Sequence, residues 1–352
     1  MSIARHAARL PPVEQFVDLG EGDTPLVELP RLGAAIGVPH LRAKLEGCNP
    51  TGSYKDRVSA MSISIARSKG FEGWIATSSG NAATSLAAYG SRAGMRGFLC
   101  VSPTIPREKL VPALALGATV VTVVRSTAGA SQHATFEAVR AAADRHGLFL
   151  AVTAHAYNHD GMRGADTIAY ELLGHAPSHV YVPTGGGGLV TAIARGFLSQ
   201  SSPTAVVVAQ PSGCGPIAAY LRGECSEPEV DACRSDVSGL QLPAPPDGLL
   251  AAETVTRTGG WGTSVPDEAI HAARRELAEV EGIFVEPAAA AALACAVVDR
   301  RTGRLDAEAE VVLVLTATGL KDLSSVGRDH ARPVRVEELP AAVAAWIGDG
   351  SG

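Results

Sequence analysis

Short apolar runs recur along the 352-residue chain, each followed by a turn and then by a stretch of helical periodicity. In the first half, strand-like runs at 74–77, 97–101, 119–124 and 149–152 alternate with helical stretches that include 106–116 and 132–146. The second half repeats the alternation with runs at 180–182, 205–209 and 311–315. A strand covered on both faces reads as a continuous apolar run, and a helix between two such runs returns the chain so that they lie parallel. The pattern predicts an α/β protein with two doubly wound lobes. The length exceeds one ordinary core, and an apolar fraction of 46% suffices for two. Ligands of such sheets bind beyond the carboxyl ends of the strands, so the residues that follow the runs are the first candidates for a site.

Three motifs occupy such places. Asn49-Pro50-Thr51-Gly52-Ser53-Tyr54-Lys55-Asp56-Arg57 breaks the chain into a turn, after which Tyr54, Val58, Met61 and Ile65 recur at helical spacing. Lys55 therefore opens a helix, where an ammonium is electrostatically disfavoured and a neutral, nucleophilic amine costs less. The run 180–182 ends in Gly185, Gly186, Gly187 and Gly188 before the apolar face Val190, Ile193, Ala194 and Phe197. Four residues without Cβ at a helix N-terminus let backbone N–H groups converge on one anion, as in a phosphate cup. No Lys-Ser/Thr pair follows, so this is not a Walker loop, and the third glycine of the dinucleotide fingerprint is missing. Thr77-Ser78-Ser79-Gly80-Asn81 follows the run 74–77 and opens a helix from Ala82 to about Ala93. Its hydroxyls and N–H groups suit a carboxylate, and Asn81 can donate to a phenolate-like oxygen. An amine, a phosphate cup and a carboxylate cup are together what a pyridoxal phosphate enzyme acting on an amino acid needs.

Composition removes other classes. A formal net charge of -6 and no basic run argue against nucleic acid or an anionic membrane surface as partner. No apolar stretch is long enough to span a bilayer and residues 1–6 contain no signal-like core, which gives a cytoplasmic expectation. The six cysteines contain no C-x-x-C pair and do not form a disulfide framework; most are expected to be reduced core residues. His155 and His159 are four apart, but no third ligand motif accompanies them, and no metal is assigned.

The lysine run, the Ser-Gly-Asn loop, the glycine loop and Leu315-Thr316-Ala317-Thr318-Gly319-Leu320-Lys321-Asp322 resemble fold type II pyridoxal phosphate enzymes, the tryptophan synthase β-like group, and threonine synthases in particular. Glu21-Gly22-Asp23-Thr24-Pro25-Leu26 and Glu281-Gly282-Ile283-Phe284-Val285-Glu286-Pro287-Ala288 are similar to further stretches of that family. The resemblance implies a larger lobe from 1–55 and 153–352, a smaller inserted lobe from 56–152, an active site in the cleft between them, and a homodimer. It also implies that Lys55 holds pyridoxal 5'-phosphate covalently, that Gly185 to Gly188 hold its phosphate, and that Asn81 bonds its ring oxygen. Ser78, Ser79, Gly80 and Ala82 would hold the substrate carboxylate. Thr316 matches the family hydroxyl that faces the pyridine nitrogen; a hydroxyl there makes the ring a weaker electron sink than a carboxylate would, which favours elimination. Glu286 and Arg163 lie near motif positions but are left without a role.

The substrate is less determined. Threonine synthases act on O-phosphohomoserine and supply an Asn-Ser pair and an arginine for its phosphate, whereas this chain has His155-Ala156 and, at the arginine position, Gly161. That segment and the tetraglycine loop look closer to threonine and serine dehydratases, which release a 2-oxo acid and ammonia. The lysine run and the segment 318–322 favour the synthase branch. A β-replacement synthase remains a third reading, and a regulatory protein that binds the cofactor or an amino acid without turnover a fourth. Residues 225–260, with Pro243-Ala244-Pro245-Pro246, are expected to be irregular and to border the cleft. Residues 340–347 are expected to form a terminal helix.

Overall fold

The computed structural model describes residues 2–78, 80–103, 105, 107–124, 132–323 and 334–348. Among the described residues, ten strands form two sheets. They are β1 (Leu26–Glu28), β2 (Leu41–Leu45), β3 (Gly73–Ala76), β4 (Arg96–Val101), β5 (Thr119–Thr122), β6 (Phe149–Leu150), β7 (His179–Pro183), β8 (Ala205–Pro211), β9 (Gly262–Val265) and β10 (Val311–Leu315). One sheet has the order β1-β2-β10-β7-β8-β9 and the other β5-β4-β3-β6. Every pairing is parallel except β1 with β2. The α/β expectation therefore holds, and both sheets are built from strand–helix–strand crossovers.

The apolar runs are continuous because the central strands of the larger sheet, β10, β7 and β8, have two buried faces. Val311, Leu313 and Leu315 pack into the core on one side with Tyr181, Val207 and the helix Pro287–Arg301. Val312 and Val314 pack into the core on the other side with Val180, Val182, Val206 and the helix Gly188–Leu198. Alternation at period two thus runs through an unbroken apolar string. Each valine or leucine fully removed from water contributes roughly 1.5–3 kcal/mol. Ala289, Ala290, Ala291 and Ala292 are wholly buried, and their small side chains allow the helix to lie close on the strands.

The helix Lys55–Ser68 starts at the predicted lysine, and the helix Asn81–Arg92 begins one residue before the predicted Ala82. The helix Arg107–Ala115 falls within the expected 106–116; Leu116 lies in the turn after its end, and Pro106 lies outside the described residues. Residues 225–247 contain no helix or strand, as expected, but the helix Gly248–Arg257 then interrupts the segment read as irregular. The prolines before it mask its start. Strands β1, β2 and β9 are also additions to the sequence reading; β2 carries Arg42 and Lys44 within the apolar pattern. Cys214 and Cys233 form a disulfide, which corrects the expectation for that pair, because Arg234 N donates to the Gly213 carbonyl at 2.8 Å and brings the two segments together. Cys100 and Cys295 are free and buried as expected, while Cys48 is free and exposed.

A second compact unit comprises 322–352 and contains the expected terminal helix, Leu339–Gly348. Among the described residues, no helix is long and apolar enough to cross a membrane.

Candidate active site

A buried ion network fixes the start of the Lys55 helix. The guanidinium of Arg57, wholly buried, donates from Nε to Glu46 Oε2 at 2.8 Å and also reaches Glu171. Lys44 Nζ meets Glu171 Oε2 at 2.6 Å. Burial acts to raise the Glu171 carboxyl, but Arg57 and Lys44 outweigh it and hold the group down at about 2. The Glu21-to-Leu26 stretch closes the network: Thr24 Oγ1 donates to Glu46 Oε1 at 2.7 Å and Asp23 N to Glu171 Oε1 at 2.8 Å. A buried arginine with two carboxylates is costly to break, so the turn before it has little freedom.

That turn is tied to the end of β10. Tyr54 N donates to the Thr316 carbonyl at 3.0 Å, and Ser53 bridges Ala317. Gly52, at φ +84°, brings the chain against Thr318 with no space for a Cβ, which would lie 2.9 Å from Thr318 Cγ2. Asp56, whose carboxyl burial pushes up, accepts from Thr51 N at 2.6 Å and from Thr51 Oγ1. Lys321 Nζ donates to the Thr51 carbonyl at 2.6 Å, and burial lowers its pKa. Lys55 itself is half-buried. Its Nζ is 3.0 Å from Thr153 Oγ1 and 4.8 Å from the centroid of the Tyr54 ring.

The four glycines join β7 to the helix Gly188–Leu198. Gly187 has φ +89°, and a Cβ on Gly185 would lie 2.7 Å from the Gly239 carbonyl oxygen. Asp247 N donates to the Gly186 carbonyl at 3.1 Å. Residues 239–247 of the irregular segment thus hold the loop from outside. Among the described residues, the N–H groups of Gly185, Gly186, Gly187 and Gly188 have no acceptor in the protein. Four unused donors at the head of an eleven-residue helix fit a phosphate.

Two contacts connect this loop to Lys55. The Thr153 carbonyl lies 3.4 Å from where a Gly188 Cβ would stand, and His155 Nε2 is 3.1 Å from the Gly188 carbonyl. Burial, reinforced by Arg195, pushes the His155 imidazole down to about 3, so it is neutral. Its Nδ1 faces Arg195 Nη1 at 3.2 Å. Both ring nitrogens are engaged, and His159 is exposed beside Asp160. Arg163 pairs with Asp166 and donates to the Arg9 carbonyl.

On the other side, Asn81 Nδ2 donates to Glu286 Oε2 at 2.9 Å, and Glu286 N donates to the Ala317 carbonyl at 3.3 Å. Asn81 is therefore brought to the end of β10, next to buried Thr316. Ser78 is half-buried, Gly80 exposed and Ala82 buried; Ser79 lies outside the described residues. The ends of β3, β7 and β10 all lead into these motifs, as the sheet rule requires. Thr153, Asp247, Glu286 and Lys321 join the site without having been assigned from the sequence. Of these, Glu286 has a readable signal, since it precedes Pro287 at the first turn of a helix.

The model of pyridoxal-phosphate dependent enzymes matches residues 17–317 of the chain. The chain belongs to that family. Curated relatives include the threonine synthase of Halalkalibacterium halodurans, 33% identical over 319 residues, with 89% of this chain and 87% of the relative covered. The threonine synthase of Synechocystis is 33% identical, covering 92% and 83%. Maize serine racemase superposes with a TM-score of 0.74 at 20% identity, covering 98% of this chain and 97% of that one. The processed threonine deaminase isoform 2 of Solanum lycopersicum gives 0.72 at 21%, covering 86% and 85%. These two establish the fold as that of type II pyridoxal phosphate enzymes. This family member is a pyridoxal-phosphate-dependent lyase, and pyridoxal phosphate is its cofactor. The half-buried amine of Lys55, the unused glycine N–H groups and the Ser53 hydroxyl, buried without a partner among the described residues, all fit that group.

Proposed function

We propose that this family member eliminates a side-chain substituent from an amino acid, with the chemistry shared by threonine synthases and threonine or serine dehydratases. The observation that carries the reading is the placement of Lys55 Nζ, 3.0 Å from Thr153 Oγ1 and one short segment from glycine N–H groups that have no protein acceptor. When bound, the cofactor supplies an aldehyde for the amine and a ring that draws charge from the substrate Cα.

The protein's own groups divide the remaining work. Lys55 Nζ releases the cofactor to the substrate amine and then carries the Cα proton, with Thr153 orienting it. Gly185, Gly186, Gly187 and Gly188 hold the phosphate, Asn81 the ring oxygen, and Thr316 faces the ring nitrogen with a hydroxyl. Ser78, Ser79, Gly80 and Ala82 receive the substrate carboxylate. The two sheets form lobes from 1–55 with 153–352 and from 56–152, with the site between them, and the assembly is a homodimer, for which sedimentation of the holoprotein is the check.

Two outcomes divide this chemistry. The names of the curated relatives support release of phosphate from O-phosphohomoserine with addition of water to give threonine. The buried, neutral His155 supports the dehydratase outcome, a 2-oxo acid and ammonia, because it offers no charge to a substrate phosphate. The decisive measurement follows phosphate, ammonia and 2-oxo acid in parallel on threonine, serine and O-phosphohomoserine. The cofactor-loaded protein is expected to be yellow and Lys55→Ala to lose both the visible band and every product. A Lys55→Ala protein that keeps the band and turns over would overturn the reading.

A further inference from the structure

The segment that follows β10 is gripped from two sides. Towards the Lys55 turn, Tyr54 N donates to the Thr316 carbonyl at 3.0 Å and Thr318 N to the Gly52 carbonyl at 3.1 Å. Towards the helix Pro287–Arg301, Glu286 N donates to the Ala317 carbonyl at 3.3 Å and Gly319 N to the Phe284 carbonyl at 2.9 Å. Ser53 bridges Ala317 and Val285 bridges Thr318. Residues 316–319 therefore lie between the turn that carries Lys55 and the segment whose Glu286 holds Asn81.

Lys321 ends the short 3-10 turn Gly319–Lys321, and its side chain reaches back to the Lys55 turn. Its Cδ lies 3.3 Å from where a Gly52 Cβ would stand, and its Nζ donates to the Thr51 carbonyl at 2.6 Å. Thr51 is thus held at its carbonyl by Lys321 and at its N–H and hydroxyl by the buried carboxylate of Asp56. The ammonium is attracted by two carboxylates, Glu286 first and then Asp56.

The charge state of Glu286 decides how Asn81 presents itself. An ionised carboxylate only accepts, so Asn81 must turn its Nδ2 towards Glu286, as observed, and its second N–H stays on the same side of the amide. A protonated carboxyl is a donor and would face Asn81 Oδ1 instead, turning the amide over. A cation near a half-buried carboxylate favours the ionised form.

We propose that Lys321 is a positioning residue for the cofactor: anchored on the Thr51 carbonyl, its ammonium keeps Glu286 an obligate acceptor, so that Asn81 presents an N–H to the cofactor ring oxygen. This rests on the roles given to Lys55 and Asn81 above and adds the residue that fixes both pieces of backbone and charge around them.

The test reads cofactor affinity from the visible band as pyridoxal phosphate is returned to the full-length, cofactor-stripped protein, with urea unfolding of each variant in parallel. Lys321→Met is expected to weaken affinity at least about tenfold, and Lys321→Arg, which keeps the charge, to stay within about threefold of wild type. Lys321→Gln keeps a donor for Thr51 without the charge; it is expected to lose as much as Lys321→Met and replaces it if that variant does not fold. In a Glu286→Gln background, where no carboxylate needs a counter-charge, the loss of Lys321 should cost no more than about a further threefold. Wild-type affinity in Lys321→Met or Lys321→Gln, or the same loss with and without the Glu286 carboxylate, overturns the proposal. If Lys55→Ala keeps the band or Asn81→Ala binds cofactor as wild type does, the site reading fails; if both lose it and the Lys321 variants do not, the role of Lys321 alone falls.

Discussion

Asn81 and Glu286, separated by 205 positions in the chain, are joined by a hydrogen bond of 2.9 Å from the amide Nδ2 to the carboxylate Oε2. One amide hydrogen is held there and the second is left for another acceptor, so the carboxylate orients the group that is to meet the cofactor. Asn81→Asp would put two carboxylates at hydrogen-bond distance. Cofactor affinity is expected to fall at least about tenfold, read from titration of the visible band. In the double variant Asn81→Asp with Glu286→Gln the loss should be partly recovered, because a donor again faces the acceptor. Equal losses in the single and double variants would show that the pair does not act together.

Arg57 holds Glu46 and Glu171 in a region closed to water. Arg57→Met leaves both carboxylates buried without their main counter-charge. We expect a loss of about 3–5 kcal/mol in urea unfolding. Arg57→Lys should recover only a part, since an ammonium cannot serve two carboxylates with the planar fork of a guanidinium. A loss below about 1 kcal/mol in Arg57→Met would contradict the role given to the network.

His155 predicts a specific acid lability. Its folded pKa, about 3, is depressed below the ordinary 6.5 by burial and then by Arg195. Below pH 6.5 the unfolded chain therefore binds a proton that the folded chain does not. The stabilisation is complete above pH 6.5 and is lost as pH falls towards 3, at up to about 1.4 kcal/mol per pH unit. His155→Gln removes the titrating group and is expected to flatten the pH dependence of stability over that window. Parallel curves for the two proteins from pH 6.5 to 4 would refute the assignment.

Gly187 combines φ +89° with a crowded Cβ position, 2.9 Å from the Asp247 carbonyl oxygen and 3.1 Å from Ala251 Cβ. Gly187→Ala should cost roughly 1–3 kcal/mol of stability from backbone strain alone and weaken cofactor uptake as well. Gly70, at φ +76° with nothing within 4 Å of its Cβ position, is the control. Gly70→Ala bears similar strain but should bind cofactor normally. The same cofactor affinity in both variants would show that the loop tolerates the change.

The sites legible in the sequence are those where local backbone chemistry and long-range position coincide. Lys55 opens its helix as the Pro50–Gly52 turn predicts, and Gly185 to Gly188 lie between a buried strand and an apolar helix, as their flanks require. The strand 311–315 is legible to the residue because both its faces are covered and no residue in it is polar. By contrast, β2 is hidden in the sequence because Lys44 is buried through an ion pair with Glu171, which periodicity treats as exposure. The helix Gly248–Arg257 is masked by the prolines that precede it, although Asp247 stands at its head.

The sequence by itself determined most of the elements, the largely parallel character of the sheets and the order of the motifs along the chain, because strand period, helix period and turn chemistry are local properties of the backbone. Only the tertiary structure decided the partners. That Asp247 meets the start of the His155 helix, that Glu286 holds Asn81, that Thr153 reaches Lys55 and that Cys214 pairs with Cys233 depends on how distant segments pack. A side chain carries its charge and its donors wherever it lies; which group satisfies them is set by the fold, where a buried polar atom must find a partner close in space, however far away in sequence.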